Sequence, residues 1–379
     1  MRYIYADHAA TTKISETAKK AMLDCMDEYY GNPSSLHTAG QMAAEQLLRA
    51  RETAADLLGA DPKEIYFTSG GSEADNQAIL SAAYFGKKNG KTHVISTAFE
   101  HHAVLHTLKK LEKEGFEVTL LDVHENGIVT PEQVADAIRE DTALVTVMYA
   151  NNEIGTIQPI REIGAICREK KVPFHTDAVQ AVGHIPVNVE KDNIDMLSLS
   201  GHKFQGPKGV GLLYAKRGMS LVNIIEGGAQ ERGKRAGTEN LPAIVGMVAA
   251  LEESIQNMEQ EAVKVSAMRD QLIQGLSQIP RSRLNGDREH RLPGTVNFVF
   301  EGAVDELMLI ELDNRGIAAS SGSACAASSL EPSHVLLALG LSPEVARGSL
   351  RLSIGAENTP EEMEYIIKSV KEVVERLRG

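Results

Sequence analysis

The sequence predicts an α/β protein: a mainly parallel sheet with helices on both faces, and a second, smaller α+β lobe. Three observations carry that expectation. Through the middle of the chain, short β-rich runs alternate with helical patterns, the order produced by a parallel sheet with helical crossovers. The run ALVTVMYA (143–150) is apolar throughout, as expected of a strand buried on both faces. The 379 residues exceed what one compact core usually holds.

The elements follow in order. The β-rich run at 64–70 (EIYFTSG) leads to a helix at 71–86, the run at 93–98 to a helix at 101–115, and the run at 117–123 to a helix at 131–140. The run at 143–151 leads to a helix at 159–171, and three β-rich runs at 172–178, 195–201 and 209–215 complete the set. The glycine-rich stretch 226–240 (EGGAQERGKRAGTEN) is irregular. A long helical pattern at 241–276 bridges to the second lobe. That lobe holds a strand at 295–300, a helix around 304–316, a strand at 349–355 and a last helix at 359–378. The expected large domain spans 15–255, and the small one combines 1–14 with 256–379.

Composition removes several classes of function. The net charge of −13 argues against direct nucleic-acid binding, which needs basic surface to displace counterions. No apolar run approaches the ~20 residues of a membrane span. The opening MRYIYADHAATTK lacks the apolar core of a signal peptide. A cytoplasmic location is expected. Three cysteines with no close spacing suit neither a zinc site nor a disulfide framework. Cys25 and Cys167 lie in amphipathic helical patterns and read as packing residues. Cys325 lies among small residues (ASSGSACAASS, 319–329) that pack little, which reads as an exposed, flexible loop.

Four motifs bear chemistry. In SLSGHKFQGPKG, Lys203 follows a buried strand; a lysine there is poorly solvated, and desolvation lowers its pKa so that it can form a Schiff base. A surface-loop lysine is the plainer alternative. In FTSGGSEADN, Gly70, Gly71 and Ser72 stand between a strand and a helix, a phosphate-binding geometry, although an ordinary turn also favours Gly and Ser. In HTDAVQ, Asp177 ends a strand where α/β sheets bind ligands, with an N-cap as the competing reading. In FEHHAVLHT, one imidazole could stack on an aromatic ring. His102 and His106 give only a weak metal signal, and no metal site is expected.

Together, in order, these motifs resemble the group I cysteine desulfurases (NifS/IscS type) of the fold-type I pyridoxal-phosphate (PLP) enzymes, in the class V aminotransferase family. The resemblance spans nearly the whole chain: DHAATT, GNPSSLH, TSGGSEADN, EHHAVL, NNEIGTIQP, HTDAVQ, SGHKFQGPKG, GGAQERGKRAGTEN and SSGSAC. It implies a large domain with a mainly parallel seven-stranded sheet. It implies that Lys203 binds PLP covalently and that Gly71, Ser72, Ser200 and His202 hold the phosphate, with Thr238 reaching in from a partner in a homodimer. Asp177 would face the ring nitrogen, Gln180 the ring hydroxyl and His101 the ring face. Asn152 would serve the cofactor and, with Arg351 in a bidentate fork, the carboxylate of L-cysteine. Lys203 and Cys325 would be catalytic, with His101 moving protons. Cys325 would take the sulfur as a persulfide and is the residue placed to touch an iron–sulfur cluster during transfer.

The implied acceptor is an iron–sulfur scaffold protein or a tRNA-thiolation enzyme. Similar housekeeping enzymes carry a further tail that contacts the scaffold, whereas this chain stops at VVERLRG. A tRNA-thiolation enzyme or another acceptor is therefore expected at least as readily. Selenocysteine lysis or another PLP reaction on a small amino acid is the competing activity, and Cys325 argues against it. A non-catalytic sulfur-assembly subunit is opposed by Lys203, Asp177 and Cys325 occurring together.

Overall fold

A computed structural model describes residues 3–322 and 332–379. In chain order, the first part comprises β1 (Ile4–Tyr5), α1 (Glu16–Glu28), α2 (Thr38–Leu58), β2 (Ile65–Thr68), α3 (Gly71–Lys88), β3 (His93–Thr97), α4 (His102–Lys113) and β4 (Glu117–Leu121). Next come α5 (Pro131–Ala137), β5 (Thr142–Thr146), α6 (Ile160–Lys170), β6 (Phe174–Asp177), β7 (Met196–Ser200) and β8 (Gly211–Ala215). The remainder comprises α7 (Gln230–Gly233), α8 (Leu241–Leu276), β9 (Ser282–Leu284), β10 (Thr295–Phe300), α9 (Asp305–Asp313), β11 (Ile317–Ala318), α10 (His334–Ala338), α11 (Pro343–Ala346), β12 (Ser349–Ser353) and α12 (Pro360–Leu377).

Seven strands form the main sheet in the order β2-β8-β7-β6-β5-β3-β4. The pairs from β7 across to β4 are parallel, while β8 runs antiparallel to both β7 and β2. The central strands β3, β5, β6 and β7 are buried at every position, which is why they read as apolar or small-polar runs rather than alternating ones. One core packs α1, α2 and the first half of α8 against one face of the sheet, and a second packs α3 and α4 against the other.

A third apolar cluster is built from Ile4, the second half of α8, β10, β12 and α12. Here β10 pairs antiparallel with β9 and β12, and β1 pairs parallel with β11. α8 passes through residue 255 without interruption, so one 36-residue helix contributes side chains to two cores. Its Asn240 cap and Pro242 in the first turn set where it starts. α12 begins on a capping box between Thr359 and Glu362, with Pro360 at its first position. Among the described residues, no helix is long and apolar enough to cross a membrane.

Candidate active site

The parallel strands deliver their C-terminal ends to one edge of the sheet, where α/β folds bind ligands. β2 ends at Thr68 and the chain turns through Ser69 and Gly70 into α3. Gly70 has φ 157° and ψ −179°, backbone open essentially to glycine alone. A Cβ on Gly71 would lie 2.6 Å from Val179 Cγ2, so only glycine lets this turn approach the loop after β6. No side chain caps α3 at Gly70, which leaves first-turn N–H groups available to an anion.

β6 ends at Asp177, whose Oδ1 accepts a hydrogen bond from the Val179 amide at 2.9 Å. β7 ends at Ser200 and continues as a 3-10 turn, Gly201–Lys203. That turn aims Lys203 back toward the N-terminal segment, where Nζ donates to the carbonyls of Ala9 (2.7 Å) and Ala10 (2.8 Å). His101 caps α4, its Nδ1 accepting from the Ala103 amide at 3.1 Å.

These ends surround a cavity of about 470 Å³. Ten of the residues expected from the sequence line it: Gly71, Ser72, His101, Asn152, Asp177, Gln180, Ser200, His202, Lys203 and Arg351. Thr238 is exposed on the loop before α8 and does not line the cavity. Cys325 lies outside the described residues. Cys25 and Cys167 are buried in the core. A larger groove of about 790 Å³, walled by Leu57, Pro186, Ile255 and Met258, carries none of these motifs.

Burial sets the electrostatics. It drives the His101 imidazole down to about 4, assisted by the Lys203 charge. His202 likewise falls to about 4 through burial and Lys203. Both rings are therefore neutral near pH 7. Asp177 is pushed up to about 6 by burial, against the opposing pull of the Val179 amide and Lys203. A cation beside that carboxylate would favour its charged form.

Arg351 is almost fully buried. Its Nη2 donates to Asp7 Oδ1 at 2.9 Å and its Nη1 to the Asn152 carbonyl at 3.1 Å, whereas the sequence led us to expect the fork to be kept for substrate. A guanidinium has five N–H donors, and its Nε is buried without a partner, so binding capacity remains. Gln180 donates from Nε2 to the Ala9 carbonyl at 2.9 Å, and His202 Nδ1 lies 3.1 Å from Thr11 Oγ1.

The motifs did not point to three further buried groups: Asp75, which itself lines the cavity, and Glu100 and His175. Asp75, on α3, has its carboxyl held well above the usual range by burial and by Asp177, and its Oδ1 has no hydrogen-bond partner. Glu100 is raised to about 8 by burial, with Oε1 accepting from Thr97 Oγ1 (2.7 Å) and the Met148 amide (3.0 Å). Buried His175, lowered to about 3, bridges Thr146 and Ser198. The visible signal was a charged residue within an apolar pattern: Asp75 on the inner stripe of α3, and Glu100 just after a fully buried strand.

Asp75, His101 and Asp177 each place one donor atom within 4.8 Å of the others. Two carboxyls and an imidazole are also a metal-donor set. The lysine charge in the same cavity and the glycine cradle opposite suit a planar cationic ring bearing an anionic group better.

The aminotransferase class-V family profile matches residues 4–366. A cysteine desulfurase IscS from Clostridium botulinum (strain Hall) is 51% identical over all of this chain and 96% of its own length. One from Methanosarcina thermophila is 51% identical over 99% of this chain and 93% of its own. Among solved structures, a NifS-like protein superposes with a TM-score of 0.92 at 36% identity, covering 99% of this chain and all of the other. DndA from Streptomyces lividans gives a TM-score of 0.79 at 37% identity over 91% of this chain and 97% of its own. The family profile, the full-length identity and the shared fold agree with the site: this chain belongs to the aminotransferase class-V family, among its IscS- and NifS-type cysteine desulfurases.

Proposed function

We propose that this cysteine desulfurase binds PLP in the 470 Å³ cavity and moves the sulfur of L-cysteine onto Cys325, releasing L-alanine. The family is PLP-dependent in general, and the residues present fit the group. The observation that carries the reading is the convergence of Lys203, Asp177 and His101 on one cavity with an uncapped, glycine-built helix start. Gly71, Ser72, Ser200 and His202 would hold the phosphate, Asp177 the ring nitrogen, Gln180 and Asn152 the ring's polar edge, and His101 one face. When bound, the ring supplies an electron sink for the substrate's α-carbon.

The chain's own residues do the rest. Arg351 Nε, with Nη donors released from Asp7, receives the substrate carboxylate. Lys203 Nζ moves the α-proton. Among its acceptors are the main-chain carbonyls of Ala9 and Ala10, which hold Nζ inside the cavity. Neutral His101 covers the ring without adding a competing positive charge. Cys325 Sγ, as thiolate, attacks the substrate sulfur; the Cβ–S bond breaks, its electron pair stays with Cβ, which takes a proton to leave L-alanine, and the persulfide then passes its outer sulfur to an acceptor protein. We also propose a division near residue 255 and a homodimer in which Thr238 serves the partner's phosphate site.

Borohydride treatment of the purified protein, followed by peptide mapping, tests the site. The cofactor label is expected on Lys203 and nowhere else, and Lys203→Ala should lose both label and turnover. A label on any other lysine would overturn the assignment.

A further inference from the structure

The turn after β5 does more than present Asn152 to the cavity. Asn151 fixes it from within: its Oδ1 accepts from the amides of Glu153 (2.8 Å) and Ile154 (3.0 Å), and its Nδ2 donates to the Phe99 carbonyl at 2.9 Å. The Glu153 carbonyl accepts from Asn297 Nδ2 at 3.0 Å, which ties the turn to β10. The Glu153 side chain is thus held on rigid backbone, and it is 1% exposed.

Its carboxyl points at neither the cavity nor solvent. Oε2 accepts a 2.5 Å hydrogen bond from Ser333 Oγ. Ser333 is the cap of α10, where its Oγ also accepts from the Leu336 amide at 3.3 Å. The next residue, His334, bonds through Nε2 to the Glu100 carbonyl at 2.9 Å. On the other side, a Cβ added to Gly322 would lie 2.6 Å from Glu153 Oε2 and 2.7 Å from Ser333 Cβ. Two residues earlier, Ser320 exchanges backbone hydrogen bonds with Arg351. Gly322 and Ser333 therefore meet at one carboxyl oxygen, and Cys325 lies between them in sequence.

We propose that Glu153 is a positioning residue: by meeting Gly322 and Ser333, on either side of the Cys325 segment in sequence, it sets how Cys325 meets the substrate's sulfur. The inference rests on Cys325 being the sulfur acceptor. Glu153 touches no reacting atom. It acts through Gly322 and Ser333, and its burial raises its own carboxyl's pKa. Geometry at a reacting atom is steep, since a misplacement of about 1 Å can cost about 100-fold in rate.

The test uses the holoenzyme and three variants. Glu153→Ala and Ser333→Ala each remove one half of the hydrogen bond, while Glu153→Gln keeps the volume and an acceptor oxygen. The two alanine variants are expected to form alanine about 10- to 100-fold more slowly. KM for L-cysteine and the cofactor absorption band should stay at wild-type values, and iodoacetamide should label Cys325 at an altered rate. Glu153→Gln should recover most of the loss. Wild-type kcat and labelling in both alanine variants would overturn the proposal. So would a loss in which KM and the cofactor band move with kcat, because that marks general damage to the site. Cys325→Ser, run alongside, separates the two failures. Turnover retained there removes the acceptor reading itself; turnover lost there, beside a normal Glu153→Ala, removes only the clamp.

Discussion

Arg351 shows how much chemistry a single buried side chain leaves undetermined until its partners are visible. It is held at the rim by Asp7 and by the Asn152 carbonyl, so its position is fixed before any substrate arrives. A lysine there keeps one charge but loses the planar fork. Arg351→Lys should therefore raise KM for L-cysteine by about 10- to 100-fold, the equivalent of one charge-assisted hydrogen bond of ~1.5–3 kcal/mol. The cofactor band should be unchanged, and steady-state kinetics with an absorption spectrum would check both. A KM unchanged in that variant would remove Arg351 from substrate binding. At this scale, Lys203, Asp177 and His101 were legible because chemistry-bearing residues stood at or just after the ends of β-rich runs. The roles of Asp75, Glu100 and Glu153 were not, although a charge within an apolar pattern marked the first two as unusual. Their roles depend on what faces them across the fold, and a carboxylate within an otherwise ordinary helix or turn gives no sign of its partner.

The elements of the main sheet were legible for a simple reason. A strand buried on both faces must be apolar or small-polar, and each crossover helix carries one apolar stripe. β5 and β7 follow that rule along their length. The antiparallel direction of β8 was not legible, since an apolar pentapeptide reads the same whichever way it pairs. Nor were β1 and β11, two residues each, which exist only because they pair with one another from opposite ends of the chain. The glycine-rich stretch before α8, read as irregular, holds one element, the four-residue α7, and even that is broken within. Glu231 and Arg232 adopt left-handed backbone there, at φ 47° and 57°. The buried Arg51–Glu231 pair holds it, with two 2.7 Å hydrogen bonds. Breaking such a pair leaves an unpaired buried charge, which explains how a strained loop keeps one shape.

Across the whole molecule, two features point outward. Thr238 is exposed beyond the cavity of its own chain, and Tyr30 and Leu36, at the junction of α1 and α2, are 80% and 91% exposed. Large apolar side chains left in water are expected where a second copy packs. Light scattering should accordingly give twice the 41.0 kDa chain mass. A protein that is monomeric while fully active would end the proposal that Thr238 serves a neighbouring site. The proposed cavity chemistry and the proposed clamp at Glu153 meet in one event, the arrival of sulfur on Cys325. The most direct measurement is the mass of the cysteine peptides after the holoenzyme turns over L-cysteine once without an acceptor. The account predicts one added sulfur on the peptide containing Cys325, one equivalent of alanine, and neither in Cys325→Ser. Sulfur on Cys25 or Cys167 instead, or alanine and sulfide from Cys325→Ser at the wild-type rate, would contradict it.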